Sequence, residues 1–206
     1  MALVLNHLLD SNSDVMRLTI TQYHRMMEAG IVQEGAPYEL INGIIVRKDR
    51  SARGADPMTV GHEHAWVITK LTALNAKLAH LGGHIRIQLP ISLPPDGEPE
   101  PDGLIARGNP DKYLKKHPRA VEATCLIEVA DSSLNYDRTT KAALYANANI
   151  PQYVIINLPD RVLEVYSEPQ VGRGHFGRVE TLRPGSKVQL AVGNRKLEVL
   201  VRSLLP

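Results

Sequence analysis

Apolar residues recur along this chain with two different periods, and each change of period marks an element. Thr19-Ile20-Thr21-Gln22 has the form of a capping box, with Thr19 as cap and Gln22 reaching back. It opens a helix that carries Ile20, Tyr23, Met26 and Met27 on one face and stops near Gly30. Tyr38–Ile41 and Ile44–Arg47 are apolar runs separated by Asn42-Gly43, the signature of a tight hairpin. Ala65, Ile68, Leu71, Leu74, Leu78 and Leu81 then recur at helical spacing, which predicts one helix over 61–81 ended by Gly82. Ile85, Ile87, Leu89, Ile91 and Leu93 alternate strictly, as in a strand with one buried face. After the Pro94–Pro101 loop come a short apolar run, 103–106, and a buried strand, Thr124–Ala130. A helix is expected over 137–147. Gln152–Asn157 and Arg161–Tyr166 form a second hairpin, and Val179–Leu182 pairs with Lys187–Val192 around Pro184-Gly185. A short helix over 201–205 closes the chain. This order of elements predicts an α/β fold, a mixed β-sheet flanked by α-helices. Residues 1–18 read as an N-terminal arm and 19–206 as one domain.

Composition narrows the function classes. Lys and Arg total 24 and Asp and Glu 22, leaving a net charge of +2, too mild for a nucleic-acid coat protein or a polybasic membrane binder. A local basic groove is still compatible with that balance. The single cysteine, Cys125, excludes an intramolecular disulfide framework and any multi-cysteine zinc cluster, and fits a reducing compartment. The first ten residues lack a basic region and are broken by Asn6, His7 and Asp10, so no signal peptide is read, and no stretch is apolar enough for a membrane span. A cytoplasmic protein without a membrane partner is expected.

Three apparent motifs dissolve on inspection. Gly172-Arg-Gly-His-Phe-Gly177 matches a dinucleotide fingerprint, but strand-like residues follow it where a helix is required, so a hairpin loop is the better reading. His62-Glu63-His64 cannot place both imidazoles on one helix face, although one could enter a site at the helix start. The basic loop Lys112–Arg119 reads as a solvated face unless it flanks a phosphate-binding cleft.

Glu128 is the informative residue. It stands in an otherwise apolar strand, where a carboxylate is costly unless it is paired or bound to metal. A salt bridge to Lys141 on the next helix is one explanation. The other is a site. Asp102 precedes the strand 103–106 and would converge with Glu128 if the two strands pair, offering two oxygens to a hard cation. Taken alone, Asp102 reads equally as a turn residue after Pro101. Glu39, in the early hairpin, supplies a third acid.

The ordered set Tyr38-Glu39-Leu-Ile-Asn-Gly43, His64, Pro101-Asp102, Ile127-Glu128-Val129, Tyr136-Asp137-Arg138, Lys141 and Tyr145 resembles the Uma2 family. These are restriction-endonuclease-like proteins of the PD-(D/E)xK nuclease superfamily. The resemblance spans roughly 19–205. It implies a restriction-endonuclease-like mixed sheet and a Mg²⁺- or Mn²⁺-dependent endonuclease cutting DNA. The metal ligands would be Asp102, Glu128 and the backbone carbonyl of Val129, and Glu39 would be a supplementary acid. The superfamily's lysine position is occupied here by Ala130, so Lys141 is the candidate substitute. His64 and Arg138 are accessory candidates, Arg138 as a phosphate contact. A homodimer is expected, since cutting both strands of a duplex favours two sites. Its support in the sequence is the apolar segment 197–205. The alternative is a catalytically weak nucleic-acid-binding or partner-binding protein on the same fold, suggested by Ala130 and the mild charge.

Overall fold

The computed structural model describes residues 15–33, 35–48 and 61–206. Most of the predicted arm, residues 1–14, lies outside the described residues. Helix α1 (Ile20–Glu28) starts on the expected capping box: Thr19 Oγ1 accepts from the Gln22 amide, and the Gln22 side chain accepts from the Thr19 amide. Strands β1 (Tyr38–Ile41) and β2 (Ile44–Arg47) pair as the predicted hairpin, with Asn42 and Gly43 both in the left-handed region their turn requires.

The predicted helix over 61–81 is two helices, α2 (His62–Thr72) and α3 (Asn75–Ala79). Their buried face is Val67, Leu71, Leu74 and Leu78, rotated from the predicted one so that Ala65 faces solvent. His64 extends this inward face by one turn, and it therefore points at the sheet. Strand β3 (Gly83–Ile87) is shorter than its alternating pattern implied. At Gln88 the backbone turns left-handed, with φ 50°, and the strand stops. Ile91 and Leu93 are buried all the same, packed under the loop that leads to Asp102.

The core of the molecule is a six-stranded mixed sheet in the order β3, β4 (Gly103–Arg107), β5 (Ala123–Ala130), β6 (Gln152–Asn157), β7 (Val162–Gln170) and β8 (His175–Leu182). Only β5 and β6 run parallel. All eight residues of β5 are buried, as expected of a central strand covered on both faces. The crossover between β5 and β6 is helix α4, formed of Leu134–Tyr136, a π-helical stretch Asp137–Lys141, and Ala142–Asn147.

One sheet face packs Leu104, Leu126, Ala130 and Ile155 against Ala142, Tyr145 and Ala146 of α4 and Ile41 and Val46 of the first hairpin. The other packs Ile105, Ile127, Val129 and Val154 against α2, α3 and the hairpin β9 (Lys187–Val192) and β10 (Arg195–Leu200). The final strand pairing differs from the expected one. Residues 175–182 pair with β7 across a turn at 171–174, so Gly172–Gly177 is the hairpin loop inferred from its context. Lys187–Val192 instead pairs with Arg195–Leu200. The C-terminal turn is Val201–Ser203 in 3-10 form. Val199, Val201, Leu204 and Leu205 are buried within this chain, so the segment that suggested a dimer surface belongs to the core.

Candidate active site

The β4–β5 register decides where the two strand carboxylates lie. Gly103 is opposite Ile127, so Asp102, just before β4, lies level with Glu128 on the neighbouring strand. The Asp102 amide donates to Glu128 Oε2 at 3.4 Å, and the Val129 amide donates to Asp102 Oδ2 at 2.9 Å. The convergence that depended on these strands pairing is therefore present. Alternation sends Glu128 to the α4 side together with Leu126 and Ala130.

Lys141 comes to the same point from α4. Its Nζ donates to Glu128 Oε1 at 2.9 Å and lies 3.7 Å from Glu39 Oε1. The Tyr145 hydroxyl donates to the same Glu128 oxygen at 2.8 Å. Lys141 and Tyr145 are one turn apart on one helix face, and Asp137 is one turn before Lys141. A π-helical stretch widens the helix here, a distortion that recurs at functional sites, and both of its ends, Asp137 and Lys141, are buried. Glu39 is held on β1, where it accepts from the Glu100 amide at 3.1 Å. The first hairpin is tied to the Asp102 loop by bonds between Leu40 and Glu98.

Second contacts orient Asp102. His64 Nε2 is 3.1 Å from Asp102 Oδ1, and the Gln88 side-chain amide donates to the same oxygen at 3.3 Å. His64 and Asp102 are partly exposed, whereas Glu39, Glu128, Asp137 and Lys141 are all buried. The site is thus open at Asp102 and closed at Lys141. Arg138 turns elsewhere. Its guanidinium makes paired hydrogen bonds to Glu164 of β7, as short as 2.6 Å, where Asn157 and Tyr166 also donate.

Burial and charge pull these groups in different directions. Burial pushes the Glu128 carboxyl up to about 8, although the Lys141 ammonium acts against the rise. Burial likewise raises Asp137 to about 6. Burial opposes a charged Lys141, but Glu128 and Glu39 outweigh it and hold the ammonium's pKa well above its ordinary value. At Asp102, burial is overcome by the His64 hydrogen bond, the Val129 amide and Lys141, so the carboxyl lies below its usual range. For His64, burial would lower the pKa, and the bond to Asp102 raises it. The balance is an acidic cluster with one buried ammonium.

The donor set fits a hard divalent cation. Asp102 and Glu128 lie level on adjacent strands, with the acids Glu39 and Asp137 beside the single ammonium of Lys141. Among the described residues no three His, Cys, Asp or Glu side chains are grouped as metal ligands. Two carboxylates with water and substrate oxygens are the habit of Mg²⁺, which seldom takes an all-protein cage.

The family model described as "Putative restriction endonuclease", Uma2, matches residues 20–201. The chain belongs to the Uma2 family. No curated protein matches it. Among solved structures, the Uma2 chain resembles "a putative nuclease belonging to DUF820" from Anabaena variabilis, at 15% sequence identity and a TM-score of 0.65. That match covers 91% of this chain and 97% of the other, and at such low identity it establishes the fold. The restriction-endonuclease-like mixed sheet expected from the sequence is therefore the fold this Uma2 chain adopts. No helix among its described residues is long and apolar enough to cross a membrane.

Three residues of the candidate site were given no role from the sequence, although Asp137 and Tyr145 stand in the set that carried the resemblance. Tyr145 and Asp137 share the Lys141 face of α4, so helical spacing alone would have grouped them. Gln88 had no such signal. It lies in an alternating run, and its contact with Asp102 depends on the backbone turning there.

Proposed function

We propose that this chain is a divalent-metal-dependent endonuclease that hydrolyses DNA phosphodiester bonds. What carries the reading is Asp102 and Glu128 side by side on adjacent strands, with a buried lysine on Glu128. Asp102, Glu128 and the Val129 carbonyl would hold Mg²⁺ or Mn²⁺. Such an ion, when bound, lowers the pKa of its water and offsets charge growing on the phosphoryl oxygens. His64 and Gln88 keep Asp102 aimed, and the Val129 amide fixes its second oxygen. Lys141 holds its ammonium beside Glu128, in the role the superfamily assigns to a lysine two residues further along the strand. Its ammonium would steer the attacking water and stabilise the crowded phosphorus. Glu39 supports Lys141 from the opposite side.

The test is supercoiled plasmid incubated with the protein in Mg²⁺ or Mn²⁺, beside an EDTA control and Glu128→Ala. Nicking or linearisation that needs the metal and disappears in Glu128→Ala is expected. Salt-sensitive DNA binding by a folded protein that never cuts would instead favour a catalytically weak binding protein. We further propose that two copies act together on a duplex as a homodimer. Sedimentation should then show a dimer at micromolar concentration or when DNA is added, and a monomer under both conditions would count against it.

A further inference from the structure

A second polar site lies on the same sheet face as Glu128, toward the β3 edge. Arg86 of β3 is in register with Leu104, and Leu104 with Leu126, so Arg86 projects to the Glu128 side. There it lines an open pocket of about 820 Å³, shared with His24, Glu98, Lys115, His117 and Arg119. Arg86, Lys115, His117 and Arg119 make no ion pair among the described residues. The Arg86 guanidinium instead lies over the Tyr113 ring, 5.7 Å from its centre. The basic loop Lys112–Arg119 is therefore no uniform solvated face. Lys112 and Lys116 share one carboxylate, Glu122, which with Lys116 also lines the pocket, while Lys115 and Arg119 border it without an ion pair among the described residues.

Among the described residues, six buried side-chain atoms have no hydrogen-bond partner, and three belong to this wall: Arg86 Nε, Glu98 Oε2 and His117 Nδ1. Leaving such groups unpaired is costly, so a cluster of them in one wall calls for a reason. Glu98 is 5% exposed, and its other oxygen is 2.8 Å from His24 Nε2. The wall thus offers the unpaired cations Arg86, Lys115 and Arg119, an imidazole at His117 whose pKa burial lowers, and beside them a carboxylate with capacity to accept.

We propose that this pocket seats one phosphate-bearing nucleotide unit. Its phosphate meets the Arg86 and Arg119 guanidinium groups, with His117 beside them as a neutral ring N–H donor, and Glu98 accepts from the hydroxyl or amino groups of the unit. A bare phosphate would leave most of the space empty, whereas the volume lies within the range of small-molecule sites. The choice of a nucleotide over another phosphate ester rests on the nuclease reading. The pocket itself shares no residue with the Asp102–Glu128 site.

Binding is measured by calorimetry in EDTA, so that no metal and no cutting are involved. The probes are deoxyadenosine 5′-monophosphate, a single-stranded oligonucleotide and inorganic phosphate. The nucleotide should bind the full chain, and Arg119→Ala and Arg86→Gln should each weaken it by about tenfold. Circular dichroism confirms that each variant is folded, and Arg119 is exposed, so its replacement leaves the core intact. Glu128→Gln should bind as the native chain does. Competition by the oligonucleotide identifies a strand as the source of the unit, and binding of the mononucleotide alone identifies a free nucleotide. The proposal is overturned if the nucleotide does not bind, if both arginine variants bind normally, or if inorganic phosphate binds as well as the nucleotide. Failure to cut plasmid while this binding persists would count against the nuclease reading alone.

Discussion

Lys141→Met should cost the protein about 3–5 kcal/mol of stability, the range for breaking a buried ion pair by removing one partner. Methionine fills much of the space but leaves Glu128 and Glu39 facing each other without the ammonium between them. Urea unfolding monitored by circular dichroism would measure the loss. Glu128→Gln in the same chain should return part of it, because the double variant buries one charge fewer. A double-mutant cycle that shows simple additivity would mean that the two side chains are not coupled. The same variant speaks to chemistry. If Lys141 stabilises charge at the phosphoryl group, the cutting rate should fall by about 10²–10³-fold in those molecules that remain folded. Full cutting by folded Lys141→Met would remove the lysine from the proposed mechanism while leaving the metal ligands in it.

The second large effect is expected at Glu164, away from Lys141. Its carboxylate accepts from Arg138, from Asn157 at 2.8 Å and from Tyr166 at 2.8 Å, and it is 5% exposed. Glu164→Ala orphans those donors. The loss should be about 2–3 kcal/mol, less than for a wholly buried pair because Arg138 is partly exposed and solvent screens it. Burial would raise the Glu164 carboxyl, but Arg138, Asn157 and Tyr166 outweigh it and lower the folded-state pKa. The unfolded chain therefore takes up the proton first as pH falls. The contribution of Glu164 is complete above the ordinary glutamate pKa and drains away as pH drops through the folded value. Acid titration of stability should be shallower in Glu164→Gln than in the native chain across that window. Equal slopes would show that the carboxylate's charge is not what stabilises the cluster.

The sequence was most legible where one local rule governs one element. The Thr19 capping box, the Asn42-Gly43 hairpin and the β5 strand each follow from a few neighbouring residues. So does the reading of Gly172–Gly177 as a loop. Misreadings arose where tertiary packing overrode a pattern. Alternation continues from Ile85 to Leu93, yet Ile91 and Leu93 are buried beneath a loop rather than in the sheet, and periodicity cannot separate those two fates. The β9–β10 hairpin was missed because its partner strand, Arg195–Leu200, mixes charged and apolar residues and followed a strand already assigned elsewhere. At the site, Glu128 stood out because a charge in an apolar strand needs an explanation. Both explanations weighed from the sequence meet at one place, since the salt bridge to Lys141 and the approach of Asp102 coexist. Arg138 was legible as a cation near the site but not as a partner of Glu164, because that pairing depends on β7 lying two strands away from β5.

The left-handed turn at Gln88 has a consequence for the molecule in a crowded solution. Strand β3 is an outer strand of the sheet, and an outer strand offers unpaired backbone groups to any other chain that can extend alongside it. Had β3 continued through the alternating residues to Leu93 as one strand, that open border would run from Gly83 to Leu93, eleven residues, with apolar residues at every second position from Ile85. The turn limits it to the five residues of β3 and folds the remainder inward. The same bend that brings the Gln88 side-chain amide onto Asp102 thereby shortens the template open to neighbouring molecules, so one backbone conformation serves both the candidate site and resistance to aggregation.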